Sequence, residues 1–130
     1  MAESSTRPAQ PMLSVVVPFL NEASNLPRLV AELERVMTPL GLTWELVLVD
    51  DGSRDGSLAV VRRELGQRPR ITATVLSLSR NFGKEAALTA GLEAARGDVV
   101  VPLDADLQDP PELIGAMLEQ WRQGFDVVYA

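Results

Sequence analysis

The stretch Asp98–Leu113, DVVVPLDADLQDPPEL, decides how this chain is read. Val99, Val100 and Val101 predict a strand that is apolar on both faces, as in a parallel sheet covered by helices on each side. The strand runs into Asp104-Ala105-Asp106-Leu107-Gln108. Pro110 and Pro111 then open a helix, at positions where a backbone N–H would have no helical partner. Side chains of extended residues alternate in direction, so Asp104 and Asp106 point the same way.

Working outward, the strand–loop–helix unit recurs. Leu13–Pro18, Trp44–Asp50, Ile71–Ser79, Asp98–Leu103 and Phe125–Ala130 read as strands. Leu26, Leu29, Val30, Leu33, Val36 and Met37 mark one face of a first helix, with Glu32, Glu34 and Arg35 forming its solvated face. Asp55 or Ser57 is placed to cap a second helix carrying Leu58, Val61 and Leu65. A third, about Lys84–Arg96, is rich in alanine; Gly91 lets it approach the sheet closely, and Gly97 is placed as its stop. A fourth carries Leu113, Ile114, Met117, Leu118 and Trp121 and ends at Gly124. Trp44, Met117 and Trp121 are assigned to packing. The alternation predicts a doubly wound, mostly parallel α/β sheet with helices on both faces. Residues 1–11 read as a disordered lead-in and residues 12–130 as one unit. No closing helix follows the last strand, so the unit is expected to be the front part of a larger domain, incomplete at its C-terminus.

Composition narrows the chemistry. The 130 residues are 46% hydrophobic and carry a net charge of −6, from 12 basic and 18 acidic residues. That balance disfavours nucleic acid as a partner and gives no electrostatic pull toward anionic lipid. The chain has neither cysteine nor histidine. Disulfides, thiolate or imidazole metal sites and Ser-His-Asp catalysis are therefore excluded. A metal would have to be held by oxygen, which favours Mg²⁺ or Mn²⁺. No apolar run reaches the roughly 18 residues of a membrane span, and the polar opening lacks a signal-peptide centre. The chain itself is expected to be soluble and to face the cytoplasm.

In open parallel sheets, ligands bind beyond the carboxyl ends of the strands. Those ends carry Pro18-Phe19-Leu20-Asn21-Glu22, Asp50-Asp51-Gly52-Ser53, Ser79-Arg80-Asn81-Phe82-Gly83-Lys84 and Asp104–Gln108. Asp104 and Asp106 would repel each other unless a divalent cation joined them, with Gln108 adding a neutral oxygen. A solvated acidic turn leading into the next helix is the other reading. Asp51 suits a nucleobase N–H or ribose hydroxyls, or a plain turn, the reading preferred for Gly52, Ser53 and Asp55. Glu22 suits a ribose hydroxyl or a helix cap. Arg80 and Lys84 suit a diphosphate, or simply solvent.

Read together, VVVPFLNE, LVLVDDGSRDGS and VPLDADLQDPPELI resemble the donor-site blocks of family 2 of the inverting glycosyltransferases, which have the GT-A fold. SLSRNFGKEAALTAGL is similar to the polyprenyl-phosphate branch, the dolichol-phosphate mannose synthase-like and bactoprenol glucosyltransferase-like enzymes. The resemblance implies that Pro18, Leu20, Glu22, Val49 and Asp51 line a nucleoside pocket. It implies that Asp104 and Ala105 contact the ribose-diphosphate, and that Asp106 and Gln108 hold Mg²⁺ or Mn²⁺.

The expected reaction is displacement at the anomeric carbon of a nucleotide sugar, UDP-glucose favoured over GDP-mannose, by a polyprenyl phosphate. Asp104 and Asp106 form the metal-dependent centre, assisted by Arg80 and Lys84. Membrane attachment would come from segments outside this chain, at the cytoplasmic side of the cell envelope, and a homo-oligomer is compatible with the sequence. Two other readings stand beside it. One is a donor-binding piece without turnover; the other is a receiver-like Mg²⁺-binding signalling domain.

Overall fold

The computed structural model describes residues 11–108 and 110–124. The predicted lead-in, apart from Pro11, and the predicted last strand, Phe125–Ala130, lie outside these residues. The described chain runs β1 (Leu13–Phe19), α1 (Leu26–Met37), a short 3-10 turn (Thr38–Leu40), β2 (Trp44–Asp50), α2 (Ser57–Gly66), β3 (Ala73–Ser77), α3 (Lys84–Ala94), β4 (Val99–Pro102) and α4 (Leu113–Arg122). All strand pairs are parallel, in the order β3-β2-β1-β4. Each parallel step needs a crossover, which α1, α2 and α3 provide.

β1 is buried along its whole length, as its run LSVVVPF requires of a central strand covered on both faces. One face packs on Leu26, Leu29, Val30, Leu33 and Met37 of α1, with Val61, Ile114 and Met117. On the other, Val16, Val47 and Val49 meet Ala87 of α3. Gly91 explains how close α3 lies. A Cβ there would sit 2.5 Å from Val16 Cγ1 and 3.1 Å from Val49 Cγ2.

Several expectations need correction. The third strand is shorter than Ile71–Ser79, because only Ala73–Ser77 pair with β2. Neither Asp55 nor Ser57 caps α2 in the expected way. The N-cap is Gly56, in the left-handed conformation and without a side-chain cap bond. Gly97 is not the stop of α3, which ends at Ala94 as Ala95 turns extended. Gly97 instead presses on β1, where a Cβ would meet Ser14 Oγ at 2.6 Å and Met12 O at 2.9 Å. The charged face of α1 is tied down rather than only solvated: Arg35 pairs with Glu32 and Glu112, and Arg68 with Glu34. At the strand starts, buried Glu45 accepts from Ser14 Oγ and from Arg96 N–H, both at 2.6 Å. That bond network clamps the α3–β4 turn to β1 and β2, opposite the end that carries the acidic loops.

Candidate donor site at the strand carboxyl ends

The chain steps from β1 to β2 to β3 toward one edge and then crosses back, through α3, to place β4 on the other side of β1. A sheet of this kind opens a crevice where the order reverses. A cavity of about 460 Å³ lies there. Pro18 and Phe19 line it from the end of β1, Leu20 and Glu22 from the loop after it, Asp51 from just beyond β2, and Asn81, Gly83, Lys84 and Ala87 from the β3–α3 connection and α3. Asp104, Ala105, Asp106 and Gln108 complete the wall. The strand order also disposes of the receiver-like reading. That fold places β1 between β2 and β3, in the order 2-1-3-4-5.

The acidic loop is shaped by its backbone. Leu103 N–H donates to Val16 O at 2.9 Å, which fixes the loop's start on β1. Leu107 takes a left-handed φ of 61°, and Gln108 N–H closes on Asp106 Oδ1 at 3.3 Å. Asp106 and Gln108 thus share one tight turn. Lys84 Nζ donates to Asp104 Oδ1 at 2.6 Å, with the two side chains 68% and 32% exposed. Among the described residues no group of three or more His, Cys, Asp or Glu side chains is arranged to hold a metal. The oxygen donors facing the cavity from this loop are the Asp104 and Asp106 carboxylates and the Gln108 amide. Such a hard, incomplete set fits a cation that takes its remaining ligands from a phosphate and water.

Asp51 anchors the β3–α3 loop. It faces the cavity but is only 3% exposed. Its Oδ1 accepts from Phe82 N–H at 2.9 Å and its Oδ2 from Gly83 N–H at 3.1 Å. Each carboxylate oxygen keeps a further lone pair, so ligand contact and loop anchoring are compatible. Gly52 completes the junction. Its φ is 81°, and a Cβ would lie 2.6 Å from both Arg80 C and Asn81 N. Lys84 is therefore carried by a loop fastened to Asp51 and Gly52.

Two expected site residues fall elsewhere. Val49 is fully buried against α3, on the face of β2 that meets Gly91. Arg80 turns away, lines an adjoining recess with Asp50, Gly52 and Ser53, and sets its guanidinium 4.7 Å from the Phe82 ring centroid. Phe19, Asn81, Gly83 and Ala87 line the cavity without having been singled out. Phe19, Asn81 and Gly83 lie within the strand ends that the sequence points to; Ala87 gives no signal beyond apolar patterning.

Residues 14–130 match the glycosyl transferase family 2 domain. The chain belongs to that family. A family 2 assignment agrees with its relatives. An uncharacterized glycosyltransferase of Synechocystis sp. is 49% identical over 118 residues, 91% of this chain and 36% of that protein. The undecaprenyl-phosphate 4-deoxy-4-formamido-L-arabinose transferase of Pseudomonas paraeruginosa is 46% identical over 117 residues, covering 90% and 34%. The chain thus spans about a third of the length of the curated relatives it matches. Among solved structures, a Pyrobaculum calidifontis mannosyltransferase in complex with GDP-Man and Mn²⁺ superposes with a TM-score of 0.78 at 30% identity, over 92% of this chain and 34% of that one. Glucosyl-3-phosphoglycerate synthase of M. tuberculosis gives 0.69 at 29%, over 87% and 42%. The family 2 chain therefore has the GT-A-like α/β fold that its sequence predicts.

Proposed function

We propose that this chain builds the donor site of an inverting, metal-dependent glycosyltransferase that moves a hexose from a nucleotide sugar to a polyprenyl phosphate. One observation carries the reading. Glu22, Asp51, Lys84 and the Asp104–Gln108 turn, drawn from all four strand ends, meet around one cavity. Glu22 and Asp51 offer acceptors to ribose hydroxyls and a base N–H, while Leu20 and Pro18 give the base an apolar wall. Lys84 and the first turn of α3 supply positive charge for the diphosphate. Asp104, Asp106 and Gln108 would hold Mg²⁺ or Mn²⁺, which supplies charge stabilisation to the departing nucleoside diphosphate. Asp106 and Gln108 are the better-placed pair, because Asp104 is engaged by Lys84.

A phosphate acceptor is already anionic near neutral pH, so the displacement needs no strong general base, in keeping with a chain that has no histidine. The undecaprenyl-phosphate transferases among its relatives support that acceptor class. The proposal carries with it a location on the cytoplasmic side of a membrane, where soluble nucleotide sugar meets lipid phosphate. Among the described residues no helix is long and apolar enough to cross a membrane. The test is transfer of radiolabel from UDP-glucose or GDP-mannose to undecaprenyl phosphate by the full-length gene product in membranes. Label in the organic phase, lost in Asp106→Ala, is the expected result. Label that stays water-soluble with both donors sinks the acceptor assignment.

A further inference from the structure

A strap of side chains joins the β1–α1 and β2–α2 loops, and the proposed chemistry does not use it. Three consecutive main-chain N–H groups donate to three side-chain oxygens of the DGSRDGS segment. Asn21 N–H reaches Ser53 Oγ at 2.8 Å, Glu22 N–H reaches Ser57 Oγ at 2.9 Å, and Ala23 N–H reaches Asp55 Oδ2 at 3.1 Å. Arg54 N–H returns to Asn21 Oδ1 at 2.8 Å. Ser57 is fully buried, and its hydroxyl donates to Asp55 Oδ1. That commits the hydroxyl proton, so toward Glu22 the oxygen acts only as an acceptor.

Capping of α1 does not account for the strap, although Asp55 Oδ1 also accepts from Ser57 N–H at the start of α2, at 3.0 Å. α1 begins at Leu26, and the Asn25 and Leu26 N–H groups are already taken by Glu22 O at 3.0 Å each. Asn21, Glu22 and Ala23 lie upstream of the helix. Asn21 also holds a φ of 55°, the left-handed region that asparagine tolerates better than most residues with a side chain. What the strap does fix is the residue at its centre. Glu22 enters the cavity from this segment, and its Oε1 is steadied further by Asn25 Nδ2 at 2.7 Å.

We infer that Ser53, Asp55 and Ser57 are positioning residues that hold Glu22 against the nucleoside part of the donor, with Ser57 at the centre. The inference rests on the proposed donor contact of Glu22. Its test is a double-mutant cycle read by calorimetry with UDP and with GDP in the presence of Mn²⁺. Ser57→Ala should weaken nucleotide binding about tenfold in the wild-type background and less than about twofold in a Glu22→Ala background, the non-additivity expected of coupled residues. Because Ser57 is buried, exposed Asp55→Ala is run through the same cycle, and Asp55→Asn, which keeps an acceptor for Ala23 N–H but turns an NH₂ toward Ser57 N–H, should recover only part of its loss. Equal losses in both backgrounds would make the strap merely structural and overturn the inference alone. A Glu22→Ala chain that binds like wild type would overturn the donor contact, and the inference with it.

Discussion

Asp51→Ala removes the acceptor of two main-chain N–H groups, those of Phe82 and Gly83. A hydrogen bond to a charged group contributes about 1.5–3 kcal/mol. Phe82 is 50% exposed, so water can replace part of the loss, and the pair is worth roughly 2–4 kcal/mol. The loss should appear in the urea midpoint of the chain without any ligand, at unchanged slope. Asp51→Asn keeps one oxygen but turns an NH₂ toward the second N–H, so it should recover less than half. Because the same loop carries Lys84, Asp51→Ala should also weaken nucleotide binding beyond the loss of its own contact. An unfolding free energy within about 0.5 kcal/mol of wild type would contradict this loop-anchoring role. Asp51 would then act only as a ligand contact, and the loop would be held by something else.

Gly91→Ala should destabilise the chain by about 1–3 kcal/mol despite alanine's better helix propensity, because the new Cβ meets Val16 Cγ1 at 2.5 Å; thermal melting reads this. Glu45→Ala strips two donors of a buried acceptor, so a loss of roughly 2–4 kcal/mol in chemical denaturation is expected. Lys84→Ala should shift stability by less than about 1 kcal/mol, since the pair with Asp104 is largely exposed, yet weaken nucleotide-diphosphate binding and flatten its salt dependence in calorimetry. The Ser57 hydroxyl, followed by the Ala23 and Ser57 N–H groups, holds the Asp55 carboxyl below the usual carboxylate range. The native state thus favours its ionised form, so its stabilisation is present above about pH 3.9 and fades as pH falls through the lower native value. A carbon-detected NMR titration should place the Asp55 midpoint below that of an unstructured aspartate, and a midpoint at or above it would contradict the bond pattern.

The fold was legible wherever burial sets the pattern. LVLV announces a strand covered on both faces, whereas VVV of β4 leaves Val99 and Val100 only half-buried; β1, β2 and β4 lie within a residue of the expected bounds. The strand-end rule then brought nine of the eleven expected site residues to one cavity. The two misses, Val49 and Arg80, have different causes. Val49, expected from the family resemblance alone, sits where strand alternation points it at α3. Arg80 follows a loop whose course is set by backbone contact with Gly52, a tertiary constraint without sequence periodicity. The strap was hidden for a third reason. Ser53, Asp55 and Ser57 are ordinary turn residues, and what distinguishes them is the partner segment some 32 residues upstream. β3 reads too long by only a residue or two at each end: Thr72 O and Leu78 N–H still bond to Leu46 N–H and Asp50 O of β2, at 2.8 and 2.9 Å, but the paired register covers Ala73–Ser77 alone.

In the proposed function, the cavity between β1 and β4 binds a nucleotide sugar through a metal that Asp106 and Gln108 would hold. Titrating UDP-glucose and GDP-mannose into the chain by calorimetry, in Mn²⁺ and again in EDTA, tests it directly. The account predicts binding of at least one donor that is lost in EDTA and in Asp106→Ala. Binding that is indifferent to both changes, or no binding of either donor in Mn²⁺, would contradict it.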